Sequence, residues 1–327
     1  MVREGLGFAA FTERGRTLAG RLQSVLGGTL RSAEEDLGAW VEKEFPHREA
    51  LIFIGAAGIA VRAVAPRLRR KAEDPAVIVL DEYGRFAIPL LSGHLGGANA
   101  LAERIAQVCG ATAVITTATD LNAVFAVDLW AKRQNMTILQ PERIRTVSAR
   151  LLRKERVRIE CRWPVEGTIP QNLEIGSPGD VVVDYRPAGG EALQLVPHLL
   201  CLGVGCRRGI SPEMLEQVFT RFCEERSILP QALAGAASID CKRDEEGLLR
   251  FCEKRDLQIR FFSAEELKCV PGCFSASSFV EKTVGVDNVC ERAAVLAGGG
   301  ELIERKYAAD GVSLALAEAE LRPDWSW

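Results

Sequence analysis

The chain has 327 residues, of which 47% are hydrophobic and 26% charged, and its formal net charge is −3. That length supports about two hydrophobic cores, and the slight acidity argues against a general nucleic-acid binder, which needs excess Lys and Arg to displace counterions. No run reaches the roughly 20 apolar residues that span a bilayer, so neither a nucleic-acid nor a membrane partner is expected.

Glu4, Glu13 and Arg14 interrupt the N-terminus where a signal peptide would be apolar. Ten cysteines are scattered without a C-x-x-C pair, which suits small core residues in a reducing cytoplasm and offers no structural zinc site. Gly5–Phe11 reads as a strand, Arg14–Leu26 and Glu34–Glu44 as helices, and Ala50–Ile54 as a buried strand ending at Gly55. Ile59–Leu68 reads as a helix. Ala76–Leu80 is predicted to turn through Tyr83, Gly84 and Arg85 into Phe86–Leu91 as a hairpin. Helix Ala98–Cys109, strand Thr112–Thr116 and helix Asn122–Gln134 follow. Such alternation predicts an α/β fold, a parallel or mixed sheet covered by helices.

From residue 136 the pattern weakens and the chain becomes dense in Pro and Gly, with short strands expected at Arg156–Cys161, Val181–Tyr185 and Ala192–Val196. The last third opens with strand Leu199–Val204. Ser211 and Pro212 start a helix to about Glu225, as N-cap and first helical residue. Ser263 and Glu266 have capping-box spacing, and Asp287 is expected to cap a helix through Leu296. Leu302–Tyr307 and Val312–Ala317 read as closing strands, and Pro323–Trp327 as a frayed tail. The expected organisation is an N-terminal α/β domain (1–135), a small middle domain (136–196) and a C-terminal α/β domain (197–327), with mixed or parallel sheets at both ends.

The richest chemistry lies in Ser92-Gly93-His94-Leu95-Gly96-Gly97-Ala98-Asn99, just before a helix N-terminus. A histidine titrates near neutral pH and can take a proton from water. The amides of Gly96, Gly97 and Ala98 could receive an oxyanion. Ser92 as nucleophile is the weaker reading, since Gly-x-Ser-x-Gly is absent. Equally open is a glycine-rich loop in which His94 only hydrogen-bonds the backbone. Gly55-Ala56-Ala57-Gly58 lacks the G-x-G-x-x-G spacing of a dinucleotide loop. It reads either as a tight strand-to-helix turn or as a backbone anion cradle with Gly58 and Arg62. Thr117 and Asp120 follow a strand end, where ligands of α/β sheets bind, although Asp120 as a helix cap fits equally. Gly205, Arg207 and Lys242 lie in charged turns of the last third, for which surface salt bridges are the ordinary explanation.

These motifs carry a resemblance. Gly55-Ala56-Ala57-Gly58-Ile59-Ala60-Val61-Arg62, Leu91–Asn99 and Ile115–Asp120 resemble the N-terminal domain of the CbiG family of anaerobic cobalamin biosynthesis, the cobalt-precorrin-5A hydrolases. Leu202–Gly209, Ile239–Lys242, Gly285-Val286, Glu291 and Lys306 are similar to its C-terminal domain; Ser238 and Ser313 depart from the threonines expected there. The resemblance implies opening of the ring-A δ-lactone of a cobalt-bound macrocycle, with release of acetaldehyde to give cobalt-precorrin-5B. It implies no cofactor of the protein's own, because the substrate brings the cobalt, and transient contact with other enzymes of the pathway. Substrate contacts are then expected at Gly58, Arg62, Gly96, Gly97, Asn99, Thr117, Asp120, Gly205, Arg207, Lys242 and Lys306. His94 as base, with Ser92 beside it, comes from the local chemistry. A non-catalytic carrier of corrinoid intermediates is the alternative, and a nucleotide-binding module a third reading against which the glycine spacing weighs.

Overall fold

The computed structural model describes residues 4–69, 74–93, 96–122 and 124–327, with Asp120 described in its backbone alone. They divide into two compact units: the chain up to Leu129 with Leu151–Lys154, and Trp130–Arg150 with Glu155–Trp327. Among the described residues no helix is long and apolar enough to cross a membrane.

In the first unit β1 (Leu6–Ala10), β3 (Ala50–Ile54) and β4 (Ala76–Leu80) are apolar runs buried along almost their whole length. Such strands need cover on both faces. With β2 (Thr29–Leu30), β5 (Phe86–Leu91) and β6 (Thr112–Ala113) they form one sheet in the order β2-β1-β3-β4-β5-β6. β1 runs parallel to β2 and β3, and β3 to β4. The expected hairpin then reverses the chain, so β5 is antiparallel to β4 and β6 parallel to β5. One face is covered by α1 (Glu13–Leu26) and α4 (Ala98–Cys109), whose Leu18, Leu22, Ala102 and Ile105 share a core with Phe8, Ile52 and Ile78. The other is covered by α2 (Leu37–Glu44) and α3 (Ala57–Val64), through Trp40, Val41, Ala60 and Val64 against Ala9, Phe53 and Val77. The chain therefore changes faces around β1.

Two expectations fail here for physical reasons. Strand pairing after residue 111 stops at Ala113 rather than Thr116, because β6 is the sheet's edge and has a partner on one side only. The helix expected over Asn122–Gln134 is shortened to α6 (Val127–Arg133), and a separate short helix, α5 (Ala118–Leu121), ends just before the expected start. Phe125, Ala126, Val127 and Asp128 are buried in succession, a pattern that leaves no polar stripe for a surface helix.

The second unit holds two sheets. β7 (Met136–Ile138), β8 (Val157–Cys161), β9 (Leu173–Ile175), β10 (Val181–Val183) and β11 (Leu193–Pro197) form one, ordered β7-β11-β10-β8-β9. Helix α7 (Ile144–Leu152) lies between β7 and β8 in the chain. β12 (Leu200–Cys206), β13 (Leu233–Ile239) and β14 (Ile259–Phe262) are parallel, and β15 (Glu301–Ala309) and β16 (Val312–Glu318) complete the order β14-β13-β12-β16-β15. Helices α8 (Pro212–Arg226) and α9 (Glu246–Lys254) pack one face through Leu215, Phe219 and Phe251. After α10 (Ala264–Lys268) and α11 (Ser278–Val284), α12 (Cys290–Gly298) packs the other, with Ala293 against Cys201, Ala237 and Ile239. Tyr185 and Val196 belong to the same core as Leu200 and Phe222, so the middle sheet is built onto the C-terminal one.

The caps at Ser211 and Ser263 form as expected, the second as a complete capping box with Glu266. Asp287 does not cap α12. It pairs with Arg292 (2.9 Å), while the Asn288 side chain accepts the Glu291 amide (2.9 Å). Nor is the tail frayed. Trp325 is buried and stacks on Trp130 with ring centroids 5.5 Å apart, and the Trp130 indole donates to the Asp324 carbonyl (2.6 Å). A large aromatic with a buried partner is a sufficient anchor for a chain end.

Candidate functional site

β5 carries the chain back to the N-terminal end of β4, where Leu91 pairs with Val77. Ser92 follows in a left-handed conformation (φ 57°), 7% exposed, and its hydroxyl donates to the Asp74 carbonyl (3.0 Å). The loop then doubles back. The Ala98 amide donates to the Ser92 carbonyl (3.1 Å) and the Asn99 amide to the Gly93 carbonyl (3.0 Å). A Cβ on Gly96 would stand 2.8 Å from that Ser92 oxygen, so the closure requires glycine. Gly97 is the N-cap of α4, also left-handed (φ 78°), and supplies no side-chain acceptor. His94 and Leu95 lie outside the described residues, between Gly93 and Gly96.

Two expected substrate contacts meet at the same edge of the sheet. The Asn99 carboxamide donates to the Thr117 hydroxyl (3.0 Å), because α4 begins beside the segment that follows β6. Asp120 lies in α5, with its side chain outside the description. Of the three amides expected to receive an oxyanion, that of Ala98 is spent on Ser92, which leaves those of Gly96 and Gly97.

Gly58 and Arg62 are not brought to this turn. They follow β3, at the carboxyl edge of the parallel strands, whereas Ser92 sits at the opposite edge because β5 runs the other way. Both are exposed, and the Arg62 guanidinium donates to the Gly58 carbonyl (3.2 Å). A depression of about 490 Å³ beside the β4–β5 turn is lined by Glu13, Arg14, Thr17, Glu82 and Tyr83 among others, none of them an expected site residue.

In the second unit the parallel pairing of β12 with β13 puts Gly205, Arg207 and Lys242 at one carboxyl edge. The Gly205 carbonyl accepts the Ser313 hydroxyl (3.2 Å), Arg207 is exposed, and its amide donates to Gly311 (2.9 Å). Burial pushes the Cys206 thiol up to about 11, against the nearby Lys242 charge. Lys242 is 9% exposed and its ammonium lies 3.0 Å from Glu245. The other Glu245 oxygen takes the Gly209 amide (2.8 Å). Lys306 lies on β15, two strands from Gly205: Ala308 pairs with Ser313, and Ser313 with Gly205. The Lys306 amide donates to Glu291 (2.7 Å), a fully buried carboxylate that also accepts the amide and hydroxyl of Ser275. Glu245 and Glu291 were not singled out as site residues from sequence. Glu245 stands three residues after Lys242, a pairing distance; Glu291 is among the residues that carry the family resemblance, but its local sequence assigns it no role.

Comparison with known proteins covers most of the chain. Residues 39–120 match the cobalamin synthesis G N-terminal family, 125–205 the cobalamin biosynthesis central region, and 200–317 the cobalamin synthesis G C-terminus. The chain is 34% identical to a cobalt-precorrin-5A hydrolase of Salmonella typhimurium, over 97% of this chain and 98% of that one. It is 32% identical to one of Priestia megaterium, over 83% and 79%. Among solved structures, a cobalamin biosynthesis protein G homolog from Sulfolobus solfataricus is 22% identical over 97% of each chain, with a TM-score of 0.42.

Proposed function

We infer, for a chain that belongs to the cobalt-precorrin-5A hydrolase family of cobalamin biosynthesis, the hydrolase activity of that family. The observation that carries it is the match to a named hydrolase over 97% of the chain at 34% identity, all three parts in order. The reaction is hydrolytic opening of the ring-A δ-lactone of cobalt-precorrin-5A. Water adds to the acyl carbon and the ring C–O bond breaks, leaving a carboxylate and an alcohol. The alcohol then gives up its proton as the carbon–carbon bond to the macrocycle breaks, the two-carbon fragment leaves as acetaldehyde, and the macrocycle keeps the bonding pair and takes a proton, giving cobalt-precorrin-5B.

The closed turn at the head of α4 supports a division of roles. His94 acts as the base on water, the amides of Gly96 and Gly97 receive the oxyanion, and Ser92 holds the turn to Asp74 rather than attacking. Asn99, Thr117 and Asp120 contact the substrate at that edge. Gly58, Arg62, Gly205, Arg207, Lys242 and Lys306 are assigned to its carboxylates, Lys242 on condition that it exchanges Glu245 for the ligand. The cobalt enters with the substrate, so the protein supplies no cofactor. The division 1–135, 136–196 and 197–327, a cytoplasmic location and transient hand-over to neighbouring pathway enzymes complete the reading. Incubation with cobalt-precorrin-5A and detection of acetaldehyde tests it. Tight binding of the macrocycle without acetaldehyde would establish the carrier instead.

A further inference from the structure

We propose that the crevice at the carboxyl ends of β1 and β3 is a carboxylate-binding subsite organised by the buried guanidinium of Arg31. The topology makes the crevice. α1 leaves β1 on one face of the sheet and α2 and α3 pack on the other, so the segments after β1 and β3 diverge. Such switch points are where open α/β sheets admit ligands. α3 begins there, directly after Gly55. Its N-cap is Ala56, which offers no side-chain acceptor, so the first turn keeps its positive end uncompensated.

The independent observation is Arg31. Its side chain is 7% exposed. One terminal nitrogen donates to the Glu35 carbonyl, Nε has no partner, and it makes no ion pair with any described residue. A buried cation without a counter-charge is among the least favourable groups a fold can keep. Of the acids beside it in sequence, Glu34 accepts from Ser32 (3.1 Å), Asp36 accepts the Ala39 amide (2.9 Å), and Glu35 meets the guanidinium through its backbone carbonyl, with no ion pair between the two side chains. Phe11, the first residue after β1, joins the two features. Its ring centroid lies 5.7 Å from the Arg31 guanidinium carbon, and a Cβ on Gly55 would stand 2.7 Å from the same ring. The guanidinium and the α3 turn thus border one aromatic wall. A planar fork of donors beside a helix N-terminus suits a carboxylate.

Assigning that carboxylate to a side chain of the macrocycle rests on the hydrolase reading; the anion site itself does not. Thermal unfolding of the full chain in about 10 mM succinate, phosphate or chloride at matched ionic strength reads the site directly. Succinate is expected to raise the Tm by about 2–4 °C over chloride, and more than phosphate does. Arg31→Met should unfold in chloride no earlier than the wild type and lose the succinate rise. Ala56→Asp, which installs a carboxylate at the N-cap, should raise the Tm in chloride and also lose that rise. No succinate effect on the wild type, a rise that survives in Arg31→Met or in Ala56→Asp, or a lower Tm of Arg31→Met in chloride overturns the proposal. A larger rise in phosphate overturns the choice of carboxylate. With the macrocycle, Arg31→Met should raise KM about tenfold and change kcat less than twofold. An unchanged KM separates the anion from the substrate and leaves wild-type acetaldehyde release to judge the activity.

Discussion

Lys242 and Glu245 form an enclosed ion pair at the carboxyl edge of the C-terminal sheet, with Nζ and Oε2 3.0 Å apart. The same carboxylate takes the Gly209 amide, so one side chain ties the turn after β12 to the turn after β13. Glu245→Ala strands a buried ammonium and should cost about 3–5 kcal/mol in urea unfolding. Lys242→Met combined with Glu245→Leu should recover most of that loss. A double variant as unstable as Glu245→Ala would show that the Gly209 contact, and not the charge pair, holds the edge.

His94→Ala should lower acetaldehyde release by about 10²–10⁴-fold, the usual contribution of a general base. Its thermal unfolding should stay close to that of the wild type. Wild-type turnover should fall as pH drops below about 6.5, where a histidine base becomes protonated. Near-normal turnover in a folded His94→Ala protein removes the base.

The hairpin that sends Ser92 to its edge is held by Asp81. Burial acts to raise its carboxyl, but the amides of Phe86, Tyr83 and Arg85 and the Arg85 charge outweigh it and leave the group below its ordinary value. A carboxyl lowered in the folded state stabilises the fold above its unfolded value, near 4, and that contribution disappears as pH falls through the folded value. Asp81→Asn should therefore unfold at a lower temperature than the wild type at pH about 7, and the difference should close in stronger acid. A gap independent of pH would mean that the carboxylate's charge contributes nothing.

Thiol reagents should divide the cysteines. Cys241, Cys269 and Cys273 are exposed and should label first. Burial pushes the Cys223 and Cys252 thiols up to about 12, so their reactive thiolates are scarce at neutral pH. Mass spectrometry of the native protein after brief labelling checks this, and early modification of Cys223 would contradict it.

Long, strongly patterned segments were legible in the residues. Ala50–Ile54, Ala76–Leu80, Phe86–Leu91 and Ala98–Cys109 fall where apolar runs and turn residues place them. β9 was not legible, because a half-exposed edge strand of three residues carries no alternation. The cap of α12 was misplaced because Asp287 and Asn288 are both competent, and Arg292 settles which is free. For the site, the glycine-rich turn and the separate candidacy of Asn99 and Thr117 followed from motif; the hydrogen bond between them did not, because it depends on where α4 meets the segment after β6. Arg31 did not, since one arginine among many acquires meaning only when its surroundings leave it without an acid.

The stack of Trp325 on Trp130 joins residues that leave the ribosome nearly two hundred codons apart. The first unit has almost all its chain by Leu129 and can collapse during synthesis. The second waits for Asp324 and Trp325, because Trp130 lacks its aromatic cover, and Gln134 its Asp324 partner (3.0 Å), until they have emerged. A stop codon at Pro323 should thus spare the first unit and cost the second about 3–5 kcal/mol, as expected for losing a buried tryptophan. An affinity tag fused after Trp327 extends the strap that finishes the fold.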